Sequence, residues 1–220
     1  MSEKTAQERI WLLALDTSTD WAGVALTDGV ESAELNWTAG RQQTTQVMPE
    51  VQRLLGSMQI TPNSLGALAV AIGPGSFSGL RVGMAIANGI SVASGIPIIG
   101  VSTLELTIHG WDSVSGRPVG VIRAGRSRYG WASADDIANP TSGSVAELID
   151  FVRVGKHGIV LGELSDEDAI RMREISGAIV PPAPVRLRRS GTLARLGWER
   201  WRAGDFDPAA SHEPIYLHRT

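Results

Sequence analysis

The chain has 220 residues, enough for one large domain or two small ones, and its 43% hydrophobic and 20% charged content is that of an ordinary soluble globular protein. A formal net charge of −3 excludes a global basic field for grasping nucleic acid, and the lack of cysteine excludes a disulfide framework, a thiolate metal site and a cysteine nucleophile. The polar start MSEKTAQERI has no apolar signal-peptide core, and the apolar run 85–101 is broken by Asn88, Gly89, Ser91, Ser94, Gly95 and Pro97, so a cytoplasmic protein without membrane contact is expected.

IWLLALD (10–16) is a nearly continuous apolar run ending on Asp16 and predicts a central buried strand. WAGVALTD (21–28) and VESAELNW (30–37) follow after tight turns and complete an antiparallel meander. From 44 to 58 the period becomes helical, with Val47, Val51, Leu54, Leu55 and Met58 on one stripe. Thr44 or Thr45 is the expected cap, and Pro49 the expected kink or local break. LGALAVAIG (65–73) predicts the next buried strand, a glycine-rich loop and a helix follow to residue 95, and IPIIGV (96–101) predicts another strand. Ser102 and Glu105 have the spacing of a capping box for a further helix.

This β-β-β-α-β-α-β-α order predicts a mixed α/β sheet with crossover helices. A turn-rich stretch at 110–116 marks an expected boundary, so that 1–109 form a first lobe and 110–189 a second, with the helix at 190–203 packed on the first. In the second lobe, 117–124 and 129–134 predict a hairpin, 145–154 and 166–175 helices, and 158–163 a strand between them; VPPAP (180–184) reads as a stiff link and 204–220 as an irregular tail.

The stretch GPGSFSGLR (73–81) carries the chemistry. Strand, glycine-rich turn and helix N-terminus aim backbone N–H groups at an anion. Gly73 and Gly75 permit tight paths, Ser76 and Ser78 add hydroxyls, and Arg81 adds a charge; with Asp16 and Ser18 they form a candidate phosphate or nucleotide site. The plainer reading is a tight strand-to-helix turn. The loop is not a Walker A motif, because no Gly-Lys-Ser/Thr follows at the required spacing. Behind it, Gly79, Gly83, Ala87, Ser91 and Gly95 recur every fourth residue as a smooth ridge, with Val82, Ile86 and Ile90 beside it. Such a ridge packs on the chain's own sheet or on a partner helix.

ALDTSTDWAGVAL (14–26) followed by AVAIGPGSFSGLRVGMAIANGISVASGIPIIGVSTLE (69–105) closely resembles the TsaB/YeaZ family, relatives of the subunit TsaD in bacterial synthesis of threonylcarbamoyladenosine in tRNA. RQQTTQVMP (41–49) resembles the start of the family's first helix and accounts for Pro49, and PIYLHR (214–219) resembles its closing segment. The resemblance implies an α/β, actin-like (RNase H-like) two-lobed fold of mixed sheets flanked by helices. It implies a partner subunit with no catalytic residue, metal or cofactor of its own, ATP or ADP entering only at the interface of the complex. The partners it implies are a TsaD-like catalytic subunit, a TsaE-like ATPase, a second copy of the chain when TsaD is absent, and tRNA only indirectly. The helices at 44–58 and 78–95 are the implied docking elements, through Val47, Val51, Leu54 and Met58 on one and Gly79, Val82, Gly83, Ile86, Ala87 and Ile90 on the other. A bulky residue at Gly83 or Ala87 is expected to block docking and leave the monomer folded.

The chain also departs from the family pattern. Arg123 stands where a second-lobe acid is expected, Arg128 near an expected glutamate, and Gln43 where histidine is frequent. Acids replaced by arginines cannot hold Mg²⁺, so the second lobe reads as diverged. The four histidines, His109, His157, His212 and His218, contain no His-x-x-x-His pair, which speaks against a metallopeptidase. An actin-like phosphotransferase using Asp16, Ser18 and the 73–78 loop is the alternative. Arg186, Arg188, Arg189, Arg195, Arg200 and Arg202 read as a solvated helix face rather than a tRNA contact. Trp198 and Trp201 read as a stripe docked on a lobe, and Asp166, Glu167 and Asp168 as an acidic first helical turn.

Overall fold

The computed structural model describes residues 9–40, 42–111, 116–125, 127–206 and 215. Arg41, Arg126, His212, His218, the PIYLHR segment apart from Ile215, and most of the expected tail lie outside the described residues.

Strands β1 (Trp11–Asp16), β2 (Trp21–Thr27) and β3 (Ser32–Thr38) form the meander, and β4 (Leu65–Gly73) and β5 (Ile98–Ser102) add parallel to β1, in the order β3-β2-β1-β4-β5. Every residue of β1 is buried because its alternate side chains serve two cores. Leu13 and Leu15 point to the face covered by α1 (Gln43–Ser57) and α2 (Phe77–Ser94), while Leu12 and Ala14 point to the face covered by α7 (Ser190–Ala203). Full burial of each such leucine contributes about 1.5–3 kcal/mol. The α7 face of the sheet is built from alanines, Ala14, Ala25, Ala67 and Ala69, and Gly197 of α7 lies directly on Ala69. Small residues on both sides let this helix approach the sheet closely.

The second sheet has the order β8-β7-β6-β9, from β6 (Val119–Arg123), β7 (Tyr129–Ser133), β8 (Thr141–Gly143) and β9 (Val160–Gly162). Helices α4 (Val145–Val154) and α5 (Asp166–Ser176) pack on it through Leu148, Ile149, Val152, Ala169 and Met172. Helix α3 (Thr103–Ile108) lies between the sheets, against β4 and β5 on one side and β6 and β9 on the other.

Local details differ from the sequence expectations. Neither Thr44 nor Thr45 caps α1; its N-cap is Gln42, with no side-chain cap. Pro49 does not break the helix. Buried Val47 and Val51 flank it, and their packing with Leu54 and Leu55 outweighs one missing backbone bond. VPPAP is not only a link, since its end begins the short helix α6 (Ala183–Arg186). Strand β8, three residues without an apolar pattern, carries no sequence signal.

Candidate functional site

The carboxyl ends of β1, β4 and β9 converge, the place where open α/β sheets form their crevices. Asp16 ends β1, Gly73 ends β4 and Glu163 follows β9. Gly162 has a φ of +105°, and a Cβ there would run into the Val121 carbonyl; this glycine turns Glu163 inward. A second-lobe acid therefore does reach the cleft, correcting the expectation that Arg123 and Arg128 leave that lobe without one. Arg123 contributes only its backbone N–H, 3.4 Å from Glu163 Oε2.

Between the two acids lies Arg188, from the segment joining α6 to α7. Its Nε donates to Asp16 Oδ2 at 2.6 Å and its Nη1 to Glu163 Oε1. Its Nη2 donates to Ser18 Oγ (3.1 Å), Thr19 Oγ1 (2.6 Å) and the Trp21 carbonyl (3.0 Å). The side chain is fully buried. Burial works against the charge, but Asp16 and then Glu163 outweigh it and hold the guanidinium pKa above its ordinary value. The two acids accept further bonds: Asp16 Oδ1 from the Ser18 N–H (2.9 Å) and hydroxyl (2.6 Å), and Glu163 Oε1 also from Thr19 Oγ1 (2.5 Å). Gln43, in place of the family's histidine, is buried and donates to the Thr19 carbonyl at 3.1 Å.

Of the candidate phosphate residues, Asp16, Ser18, Gly75 and Ser76 come together. The Ser76 N–H donates to the Ser18 carbonyl at 2.6 Å, and a Cβ at Gly75 would strike the same carbonyl. Gly73 lies one step behind, packed against the Ile215 backbone. Ser76 Oγ accepts from the Gly79 N–H at 3.4 Å and caps α2. Ser78 and Arg81 are exposed, and Arg81 lies 3.7 Å over the Phe77 ring rather than toward Asp16. A phosphate-bound Mg²⁺ needs free oxygen ligands. Here both Asp16 oxygens are taken by Ser18 and Arg188, and Ser76 N–H is taken by Ser18. These residues do not fit a metal-bound phosphate, and among the described residues no cluster of histidine and acids could hold a metal.

The small ridge of α2 faces inward. Gly79 lies on the Thr17 carbonyl, Thr17 Oγ1 donates back to the Gly79 carbonyl at 2.7 Å, and a Cβ at Gly83 would come 2.5 Å from Thr17 Oγ1. Gly79, Gly83 and Ala87, together with Val47, Val51 and Leu54 of α1, are buried in the chain's own core and are not available to a partner. This overturns the expectation that a bulky residue at Gly83 or Ala87 leaves the monomer folded. Val82, Ile86, Ile90 and Met58 are half-buried. The open faces are Met48, Pro49 and Gln52 on α1, and Arg81, Ala85, Asn88, Gly89 and Val92 on α2, with Val92 88% exposed.

The arginine cluster is a solvated face only in part, since Arg189, Arg195 and Arg202 are exposed. Arg186 and Arg188 are buried, and burial lowers the pKa of Arg186, which donates to the Pro181 and Leu164 carbonyls. Arg189 pairs with Glu34, Arg195 with Glu199, and Arg200 with Glu105. Trp198 and Trp201 meet edge to face at 5.2 Å and pack on the first lobe against Gly29 and Gly66. A groove of about 650 Å³ beside them, lined by Thr27, Ser32, Glu34, Arg189 and Trp198, is separate from the Asp16 cleft. No helix of the described residues is long and apolar enough to cross a membrane.

The family model for TsaD, tRNA N6-adenosine threonylcarbamoyltransferase, matches residues 37–159. The tRNA threonylcarbamoyladenosine biosynthesis protein TsaB of Haemophilus influenzae is 39% identical over 97 residues, 44% of this chain and 41% of that protein. The Escherichia coli protein of the same name is 36% identical over 124 residues, 55% of this chain and 53% of that protein. The chain thus spans about half the length of these relatives. An uncharacterised protein of Mycobacterium tuberculosis is 30% identical over 215 residues, 94% of this chain and 92% of its own. Among solved structures, YeaZ from Pseudomonas aeruginosa superposes with a TM-score of 0.73 at 21% identity, covering 94% of this chain and 100% of that one. A Bacteroides thetaiotaomicron protein with an actin-like ATPase fold gives 0.50 at 7% identity, covering 89% and 99%. The fold is the actin-like one.

Proposed function

This chain belongs to the TsaB/YeaZ family, and from that membership we propose that it is a non-catalytic partner subunit in the synthesis of threonylcarbamoyladenosine in tRNA. It binds a TsaD-like catalytic subunit and supports threonylcarbamoyl transfer to adenosine 37 without performing it. The observation that carries the non-catalytic role is Arg188: the acid at the end of β1 is neutralised by the chain's own guanidinium. Such an acid is unavailable to a metal or a phosphate transfer. ATP or ADP then enters only where the complex forms.

The open faces of α1 and α2 are the docking surface in this reading. Arg81 is the only charged residue within α2, so its exposed face, with Ala85, Gly89 and Val92, offers little to desolvate on association. Without TsaD the same surface pairs with a second copy, and a TsaE-like ATPase joins the assembled complex. In this reading tRNA is contacted only through the partner. The complex works in the cytoplasm.

The test is co-purification with the TsaD of the same organism, followed by a tRNA-modification assay with and without this chain. Modification that depends on the chain is the expected result. Full modification without it, or no association with TsaD, overturns the proposal.

A further inference from the structure

Arg188 touches both lobes at once. Asp16, Ser18, Thr19 and Trp21 belong to the first sheet and its turns, whereas Glu163 follows β9 of the second. All three nitrogens of the guanidinium are engaged, and the head is closed off from water. Thr19 Oγ1 also donates directly to Glu163 across the lobes, and α3 meets the two sheets through apolar residues such as Leu104, Leu106 and Ile108. Apolar packing is non-directional and tolerates small sliding. A guanidinium fork between two carboxylates is directional and fixes a distance.

Widening the cleft would pull Glu163 from Arg188 while both are still desolvated, which is the costly way to break a buried pair. Opening is therefore coupled to loss of the Glu163 contacts with Arg188 and Thr19. We infer that Arg188 is an internal clamp: it fills the cleft as a bound cation would and holds the two lobes in one arrangement with no ligand present. The first lobe supplies Asp16 and the hydroxyls of Ser18 and Thr19, the second supplies Glu163, and the segment between α6 and α7 supplies the cation. The clamp concerns the isolated chain, so its failure would leave the partner-subunit reading untouched.

The sequence contains no cysteine, so two introduced cysteines give clean labelling. Val30 on the β2–β3 turn and Glu167 on α5 are exposed and lie on different lobes. Spin labels at Val30→Cys and Glu167→Cys, read by pulsed electron resonance, report the inter-lobe distance. A single narrow distribution, unchanged by Mg-ATP, is expected for the parent. Arg188→Ala should broaden it and shift it to longer distance, and guanidinium ion below denaturing concentration should narrow it again. If Arg188→Ala does not fold, the triple variant Asp16→Asn, Glu163→Gln, Arg188→Met removes all three charges of the clamp and replaces it in the comparison; it should broaden the distribution and not respond to guanidinium. A folded variant of either kind with the parent's distribution overturns the clamp.

Discussion

Arg188 Nε lies 2.6 Å from Asp16 Oδ2, a contact between residues 172 positions apart in the chain. Removing the arginine alone strands two buried acids, Asp16 and Glu163. Arg188→Ala should therefore cost about 3–5 kcal/mol in urea unfolding, the range for breaking a buried pair from one side. The triple variant Asp16→Asn, Glu163→Gln, Arg188→Met should recover most of that loss. A loss below about 1 kcal/mol in the single variant would contradict the burial and pairing described for this site.

Gly83 and Val92 lie on the same helix and separate folding from docking. Gly83→Val pushes methyl groups into Thr17, and an overpacked site of this kind costs about 1–3 kcal/mol. Val92→Asp and Ala85→Arg sit on the open face, so thermal unfolding should shift by no more than surface changes usually cause, about 0.5 kcal/mol. The same two variants should weaken association with TsaD by about tenfold or more, near 1.4 kcal/mol, in a titration with purified proteins. Undiminished binding would remove α2 from the interface.

Helix α7 has no cap of its own. Its N-cap residue is Arg189, and strand β3 supplies the acceptors instead: Glu34 Oε2 accepts the Gly191 N–H at 2.7 Å and Asn36 Oδ1 the Ser190 N–H at 2.9 Å. Burial tends to raise the Glu34 pKa, but the Gly191 N–H and Arg189 outweigh it and hold the carboxyl below its usual value. Its stabilisation is thus present above the unfolded value of about 4.3 and is lost as pH falls through the lower folded value. Glu34→Gln should flatten this acid limb of the stability curve relative to the parent. Glu34→Ala and Asn36→Ala should each cost about 1 kcal/mol in denaturant unfolding at neutral pH.

His157 stacks on Phe151 at 4.9 Å, with Nδ1 3.1 Å from the Arg117 carbonyl and Arg117 and Asp135 as its charged neighbours. Burial first, and Arg117 among the charges, push its pKa below the usual histidine value. The unfolded chain then binds a proton that the folded chain resists. Stability contributed by neutral His157 is complete above about pH 6.5 and falls as pH drops toward the folded value. The difference in unfolding free energy between parent and His157→Phe, measured from pH 7.5 to 5, should shrink steadily as the pH is lowered. A constant difference would exclude this linkage.

Much of the fold was legible in the chain because its signals are local. The apolar run at Trp11–Asp16, the helical stripe Val47, Val51, Leu54, and Gly95 ending α2 each announce an element from a few neighbouring residues. The end of β1 and the 73–78 loop also pointed correctly to each other, since strand ends and glycine turns have readable patterns. What occupies that crevice was not legible. Arg188 sits in an arginine-rich stretch, and Glu163 is a single acid after a short strand; neither has a periodicity or spacing that relates it to Asp16.

The direction of a face was hidden for the same reason. The ridge of Gly79, Gly83 and Ala87, spaced four residues apart, is equally suited to a strand of the same chain or to a foreign helix, because close approach needs only small side chains. The sequence by itself determined the main elements, though not β8 or α6, their order and the family. Only the tertiary structure decided that the ridge closes on Thr17 and that a guanidinium from 172 residues away fills the cleft, because buried charge and close backbone contact depend on which distant segments meet.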